Sequence, residues 1–260
     1  MEYTAIKYEK KDGVAVVSFN QPKMMNCLIQ QAIDELGAVT KEIAADEEVK
    51  AVILTGEGRA FCAGGDLNRF MEGFDKISAV EYVDSIHVWV KDWCNLKKPT
   101  IAAINGAAVG AGLSVALMCD IMIASDKAIL GSAFVNMGLI PDLTAAYFLP
   151  RTVGIHKAKE LMFTGRQVKA DEALSIGLVN QVVPAEELMA TAMAMASRFA
   201  SGPSFAIWNT KRLLNMGLDL DLTNFLEVES FLQGLCFITD DSKEAVDAFL
   251  NKRKPVFTGK

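Results

Sequence analysis

Residues 99–119 form a run of 21 residues without a single charged side chain. A run of that length can span a bilayer as a helix, so it forces an early choice between membrane and core. Asn105, Gly106, Gly110 and Gly112 interrupt it, and a short β-branched stretch changes to helical spacing midway. The run therefore reads as a buried strand, loop and helix of a globular protein, and no membrane span is expected.

The same alternation continues on both sides. Residues 14–18 read as a strand that Gln21-Pro22 breaks, 29–45 as a helix, and 49–55 as an apolar strand ending at Gly56-Glu57-Gly58. A helix over 83–96 precedes the strand at 100–104, and a helix at 113–118 precedes another strand at 120–124. Strands alternating with helices predict an α/β core. Beyond residue 143 helical spacing dominates, over 158–163, 186–199, 205–216, 222–237 and 243–252. With no Pro/Ser-rich linker, the expected organisation is a core over 1–195 and a helical region over 196–260 in one structural unit.

Several function classes drop out on composition. The net charge is −6, and the longest basic run is Lys252-Arg253-Lys254, so neither nucleic acid nor an anionic membrane is an expected partner. Five scattered cysteines (Cys27, Cys62, Cys94, Cys119, Cys236) predict reduced thiols and a cytoplasmic setting. Two histidines, His87 and His156, give no basis for a metal site. Residues 1–11 are charged and lack the apolar core of a signal peptide. The glycines at 106, 110 and 112 do not have the spacing of a dinucleotide fingerprint, and no Walker-type phosphate loop occurs.

Two loops of small residues each follow an expected strand: residues 58–67, with Ala63-Gly64-Gly65-Asp66-Leu67, and residues 104–112, with Gly110-Ala111-Gly112. Small side chains let a ligand reach backbone N–H groups, and two such loops converging would make a donor pair for a developing oxyanion. Tight turns with Asp66 as a helix cap are the alternative reading.

Taken together the loops resemble the crotonase (enoyl-CoA hydratase/isomerase) superfamily. Phe61-Cys62-Ala63-Gly64-Gly65-Asp66-Leu67 is similar to its "FxAGxDL" loop, and residues 99–112 to its "KPxIAAxxGxAxGxG" segment. Matches continue through Cys119-Asp120-Ile121, Gly138-Leu139-Ile140-Pro141, Leu149-Pro150-Arg151, Thr164-Gly165 and Gly177-Leu178-Val179. The resemblance implies a crotonase-type spiral of ββα units with a C-terminal helical region that forms trimers or hexamers. It implies an acyl-CoA substrate and no cofactor, coenzyme A being part of the substrate. The oxyanion donors would be the N–H groups of Ala63 and Ala111. Lys23, Met25, Gly64, Gly65, Asp66, Leu67 and Gly110 would surround the CoA thioester, with Lys23 near phosphate.

The chemistry then depends on the acid/base groups the scaffold carries. Family hydratases use two glutamates, and the corresponding positions here are Ser114 and Phe134, which cannot serve as carboxylate bases. Asp142, among apolar neighbours, is the candidate base, with a helix cap as its alternative. The resemblance to single-acid enoyl-CoA isomerases of fatty acid metabolism or aromatic degradation favours double-bond isomerisation. Three alternatives stand beside it: an enoyl-CoA hydratase, a halobenzoyl-CoA dehalogenase using Asp142 with His87, and a CoA-binding protein without turnover. His87 has its own simpler reading, as a histidine on an amphipathic helix with Trp89 and Trp93.

Overall fold

Strand-turn-strand-helix units repeat along the chain, and the computed structural model describes them over residues 3–71 and 73–260. In the first unit β1 (Ile6–Lys11) and β2 (Val14–Phe19) pair antiparallel around Asp12-Gly13, both at positive φ. An Asp-Gly pair tolerates that backbone and matches the twist of a hairpin. The helix α1 (Gln30–Ala45) follows and buries Ile33, Leu36, Val39 and Ile43, spaced three and four apart. The next units are β3 (Ala51–Gly56), β4 (Ala60–Cys62), a short α2 (Leu67–Met71) and α3 (Lys76–Cys94). After them come β5 (Thr100–Ile104), β6 (Ala107–Val109) and α4 (Ala111–Leu117). Then β7 (Ile121–Ser125) and β8 (Ile129–Gly131) lead to a 3-10 turn at Ala133–Met137.

In each of these last three units the first strand joins one sheet and the second strand joins another. The large sheet has the order β1-β2-β3-β5-β7-β10 and the small one β4-β6-β8-β9. Neighbours are parallel except at β1-β2 and β8-β9, so the chain advances along both sheets as a spiral. The rest of the chain forms α5 (Ala145–Val153), α6 (Ile155–Thr164), β9 (Gln167–Lys169), α7 (Ala170–Ser175), β10 (Gln181–Val183) and α8 (Leu188–Ala200). The C-terminal helices are α9 (Ser204–Met216), α10 (Leu222–Phe237) and α11 (Asp240–Leu250).

The uncharged run is β5, β6 and α4, and it lies at the centre. Every residue of β5 and α4 is buried. A Cβ at Gly112 would sit 1.9 Å from the carbonyl oxygen of Cys62, so α4 rests directly on β4 and only glycine permits it. Among the described residues no helix is long and apolar enough to cross a membrane.

Three sequence expectations shift. The helix expected from residue 83 begins at Lys76, because Asp75 accepts from the N–H groups of Ile77 (2.8 Å) and Ser78 (3.1 Å) and caps it. The stretch after residue 143, expected to be helical, also holds β9 and β10, each only three residues long. The division expected at residue 195 falls inside α8, whose Leu188, Ala192 and Ala196 pack on Val14, Ile53, Ile101 and Ile123 of the large sheet. Structurally the helical region starts at α9. An ion pair from Lys211 to Asp120 (2.8 Å) holds that helix to the core, and Asp120 also accepts from the N–H of Thr100 at 2.8 Å.

Candidate active site

The turn after β2 fixes the first loop. Asn26, fully buried, accepts from the N–H of Gln21 (2.9 Å) and donates to the carbonyls of Glu57 (2.9 Å) and Ala60 (2.7 Å). This ties the 20–28 turn to the segment around β4. Two backbone bonds complete the seam: Ala63 donates to the Met25 carbonyl at 3.0 Å, and Leu28 donates to the Gly64 carbonyl at 2.8 Å.

These bonds decide which N–H groups face a ligand. The N–H of Ala63, expected to be an oxyanion donor, is already used by Met25. The peptide that links Gly64 to Gly65 differs. Its carbonyl, on Gly64, accepts from Leu28, and no peptide bond is cis among the described residues. In a trans peptide the N–H points opposite the carbonyl. The N–H of Gly65 therefore points away from the turn, and it has no acceptor among the described residues. The sequence places Gly65 in the binding loop and points to Ala63 as the donor, whose N–H is occupied here while that of Gly65 is open.

The second loop carries Ala111, the other donor expected from the sequence. It is the first residue of α4, and the Gly110 carbonyl accepts from Leu113 (3.0 Å) and Ser114 (3.2 Å) inside the helix. The Ala111 N–H is an orphan of the helix start and points out of it. The loops meet at their glycines. A Cβ on Gly64 (φ +118°) would stand 3.1 Å from the Val109 carbonyl oxygen and 3.9 Å from the Ala111 nitrogen. Gly64 thus leaves bare backbone beside that N–H.

Asp142 lines the same cavity, of about 490 Å³, with Gly65, Gly110 and Ala111. It does not cap a helix. The residue at the start of α5 is Thr144, and Asp142 contributes only its backbone carbonyl, to Ala145 at 3.0 Å. Its Oδ1 is buried with no hydrogen-bond partner. Burial raises its pKa above the ordinary aspartate value, opposed by a hydrogen bond from its own backbone and by the charge of His87. A buried carboxylate with one oxygen left without a partner is a strong proton acceptor whenever it is ionised.

Phe134 forms part of the cavity wall, whereas Ser114 is buried in α4 with its hydroxyl on the Gly110 carbonyl at 3.4 Å. Asp66 lines the cavity and also caps α2, accepting from Asn68 at 3.0 Å. Met25 and Leu67 are in the wall, and Lys23 is exposed on the adjoining turn. His87 is not part of that wall. The buried face of α3 carries Ile86, Trp89, Val90 and Trp93, which leaves His87 half-exposed with Nδ1 3.7 Å from Asp84. Nothing in the sequence marked Cys27, Phe70 and Met137 as wall residues, because loop packing brings them together, and Leu139 stood out only within the Gly138-Leu139-Ile140-Pro141 match. Among the described residues no group of three or more His, Cys, Asp or Glu is placed to hold a metal ion.

Known proteins resemble this chain along its whole length. The enoyl-CoA hydratase/isomerase family model matches residues 9–260. The short-chain-enoyl-CoA hydratase of Clostridium acetobutylicum is 41% identical, over 98% of this chain and 97% of its own. The crotonyl-CoA hydratase of Syntrophomonas wolfei is 37% identical over the full length of both. The crystal structure of an enoyl-CoA hydratase from Bacillus anthracis superposes with a TM-score of 0.93 at 34% identity, covering 98% of this chain and 100% of that one.

Proposed function

The chain belongs to the enoyl-CoA hydratase/isomerase family, and from that premise we propose that it shifts the double bond of an enoyl-CoA thioester with Asp142 as its acid/base. The observation that carries this reading is the buried, unpartnered Oδ1 of Asp142 in the wall shared with two open backbone N–H groups.

In the proposed reaction a 3-enoyl thioester places its carbonyl oxygen between the N–H groups of Gly65 and Ala111. Asp142 removes a proton from the carbon next to the carbonyl. The electron pair becomes an enolate whose oxygen the two donors stabilise. The protonated Asp142 then returns the proton at the far end of the former double bond, giving the 2-enoyl isomer. One carboxylate suffices, and it ends as it began. Each preorganised donor supplies about 100- to 1,000-fold in rate, and the placed base about 100- to 10,000-fold. Lys23, on the turn beside the cavity, is proposed to meet a CoA phosphate.

Hydration is the second reading, favoured by the names of the Clostridium and Syntrophomonas relatives. Here it would need Asp142 to activate water and manage the proton alone, since Ser114 is turned into α4 and Phe134 is a hydrocarbon wall. A dehalogenase draws less support, because His87 lies outside the cavity wall. A mere binder would gain nothing from an unpartnered buried carboxylate.

A panel of 3-enoyl-, 2-enoyl- and 4-halobenzoyl-CoA thioesters, run with the native protein and Asp142→Asn, separates these readings. Isomerisation should dominate and fall about 100- to 10,000-fold in the variant, with acyl-CoA affinity nearly kept. Net water addition as the main product would move the assignment to a hydratase. Native turnover by Asp142→Asn would remove the residue from the mechanism.

A further inference from the structure

We propose that the site takes uncharged acyl chains well beyond four carbons, the chain lying along an apolar lip made by Leu67, Phe70 and Met71 and by Met137, Leu139 and Ile140. The inference rests on the acyl-CoA reading of the cavity and adds the class of acyl group.

Leu67, Phe70, Met137 and Leu139 line the cavity and are also exposed to solvent, so they stand at an opening. Met71 (87% exposed) and Ile140 (83%) carry the same two segments further into water. One segment follows the donor Gly65 and the other precedes the base Asp142, so the lip begins beside the reacting carbons. The Phe70 ring is close enough that a Cβ on Gly65 would sit 3.3 Å from it. Phe70 is itself backed by Phe74 (6.2 Å between ring centroids), and Phe74 by Tyr82 (5.3 Å), a continuous aromatic support. Large apolar side chains left in water around a cavity mouth are unfavourable until something apolar covers them. A short acyl group inside the cavity would leave Met71 and Ile140, which lie outside its lining, uncovered.

The charge of the wall sets the second limit. Its ionisable side chains are Asp66, Asp142 and the thiol of Cys27, with no Lys, Arg or His among the described lining residues. A terminal carboxylate on the acyl chain would enter beside like charges, with no cation among the described lining residues to meet it.

Calorimetric titration with saturated thioesters tests this without depending on which reaction the enzyme runs. With butyryl-, hexanoyl-, octanoyl- and dodecanoyl-CoA, the dissociation constant should fall by up to about fourfold per methylene, the value of burying a CH₂ group. A Met71→Ser/Ile140→Ser variant, altered only at exposed positions, should flatten the longer end of that series. Glutaryl-CoA should bind at least about tenfold more weakly than pentanoyl-CoA. A flat series, an unchanged slope in the double variant, or glutaryl-CoA binding as tightly as pentanoyl-CoA would each overturn the proposal. Failure of every thioester to bind would overturn the acyl-CoA reading itself.

Discussion

Asp142 should destabilise the fold whenever it is ionised. An unfolded aspartate titrates near ~3.9, and burial raises the folded value. Between those values the native state holds a proton the unfolded chain has lost, so stability falls as pH rises through the window and stays lower above it. Asp142→Asn should therefore melt at a higher temperature than the native protein at pH 7.5, with the gap closing toward pH 4. Equal melting temperatures at both pH values would mean that the carboxylate is not strained. The same shift should place the acid limb of the activity profile above the ordinary aspartate range. This residue was legible in the sequence, because an acid among apolar neighbours already signals a perturbed environment. The donor was not. Whether residue 63 or 65 offers a free N–H depends on the carbonyl of Met25, nearly forty positions away.

At the scale of elements, the edge strand β1 has charged residues along its exposed side and depends on α1 for its anchorage. Glu35, buried on α1, accepts from the N–H groups of Thr4 (3.1 Å), Ala5 (2.9 Å) and Ile6 (3.0 Å). Burial alone would raise its pKa, but these bonds and Gln31 outweigh it and hold the carboxyl below the usual glutamate value. Its contribution is present above the unfolded pKa and is lost as pH falls through the lowered folded one. Glu35→Ala leaves three N–H groups seeking water and should cost about 1–3 kcal/mol in denaturant titration. No loss at neutral pH would count against the clamp. Periodicity located α10 correctly over residues 222–237, because sixteen residues give a helix time to show its spacing. Strands of three residues such as β4, β6 and β9 are too short to show any period. Long-range pairing, not local sequence, makes them strands.

For the whole molecule, the C-terminal helices leave more apolar surface open than a lone chain needs. Leu222, Phe231 and Phe237 on α10 are exposed, as are Phe249 (83%) and Leu250 (72%) on α11. Burying such faces is the usual reason for association, and the family resemblance implies trimers or dimers of trimers. Light scattering at micromolar concentration should give three or six chain masses. A stable monomer would refute this, and charged substitutions at Phe231 and Phe249 should break the assembly up.

The two donors proposed for the thioester oxygen belong to the main chain, so deleting side chains cannot erase them. An alanine scan would be nearly blind to the electrostatic centre of this site and would report chiefly on Asp142. The informative mutations are those that add atoms. A methyl group at Gly64 presses on the Val109 carbonyl oxygen at 3.1 Å and comes into contact with the Ala111 nitrogen, in a backbone conformation that L-residues rarely adopt. The proposed site is thus split in two: main-chain atoms would hold the oxygen, and the side chain of residue 142 would move the proton.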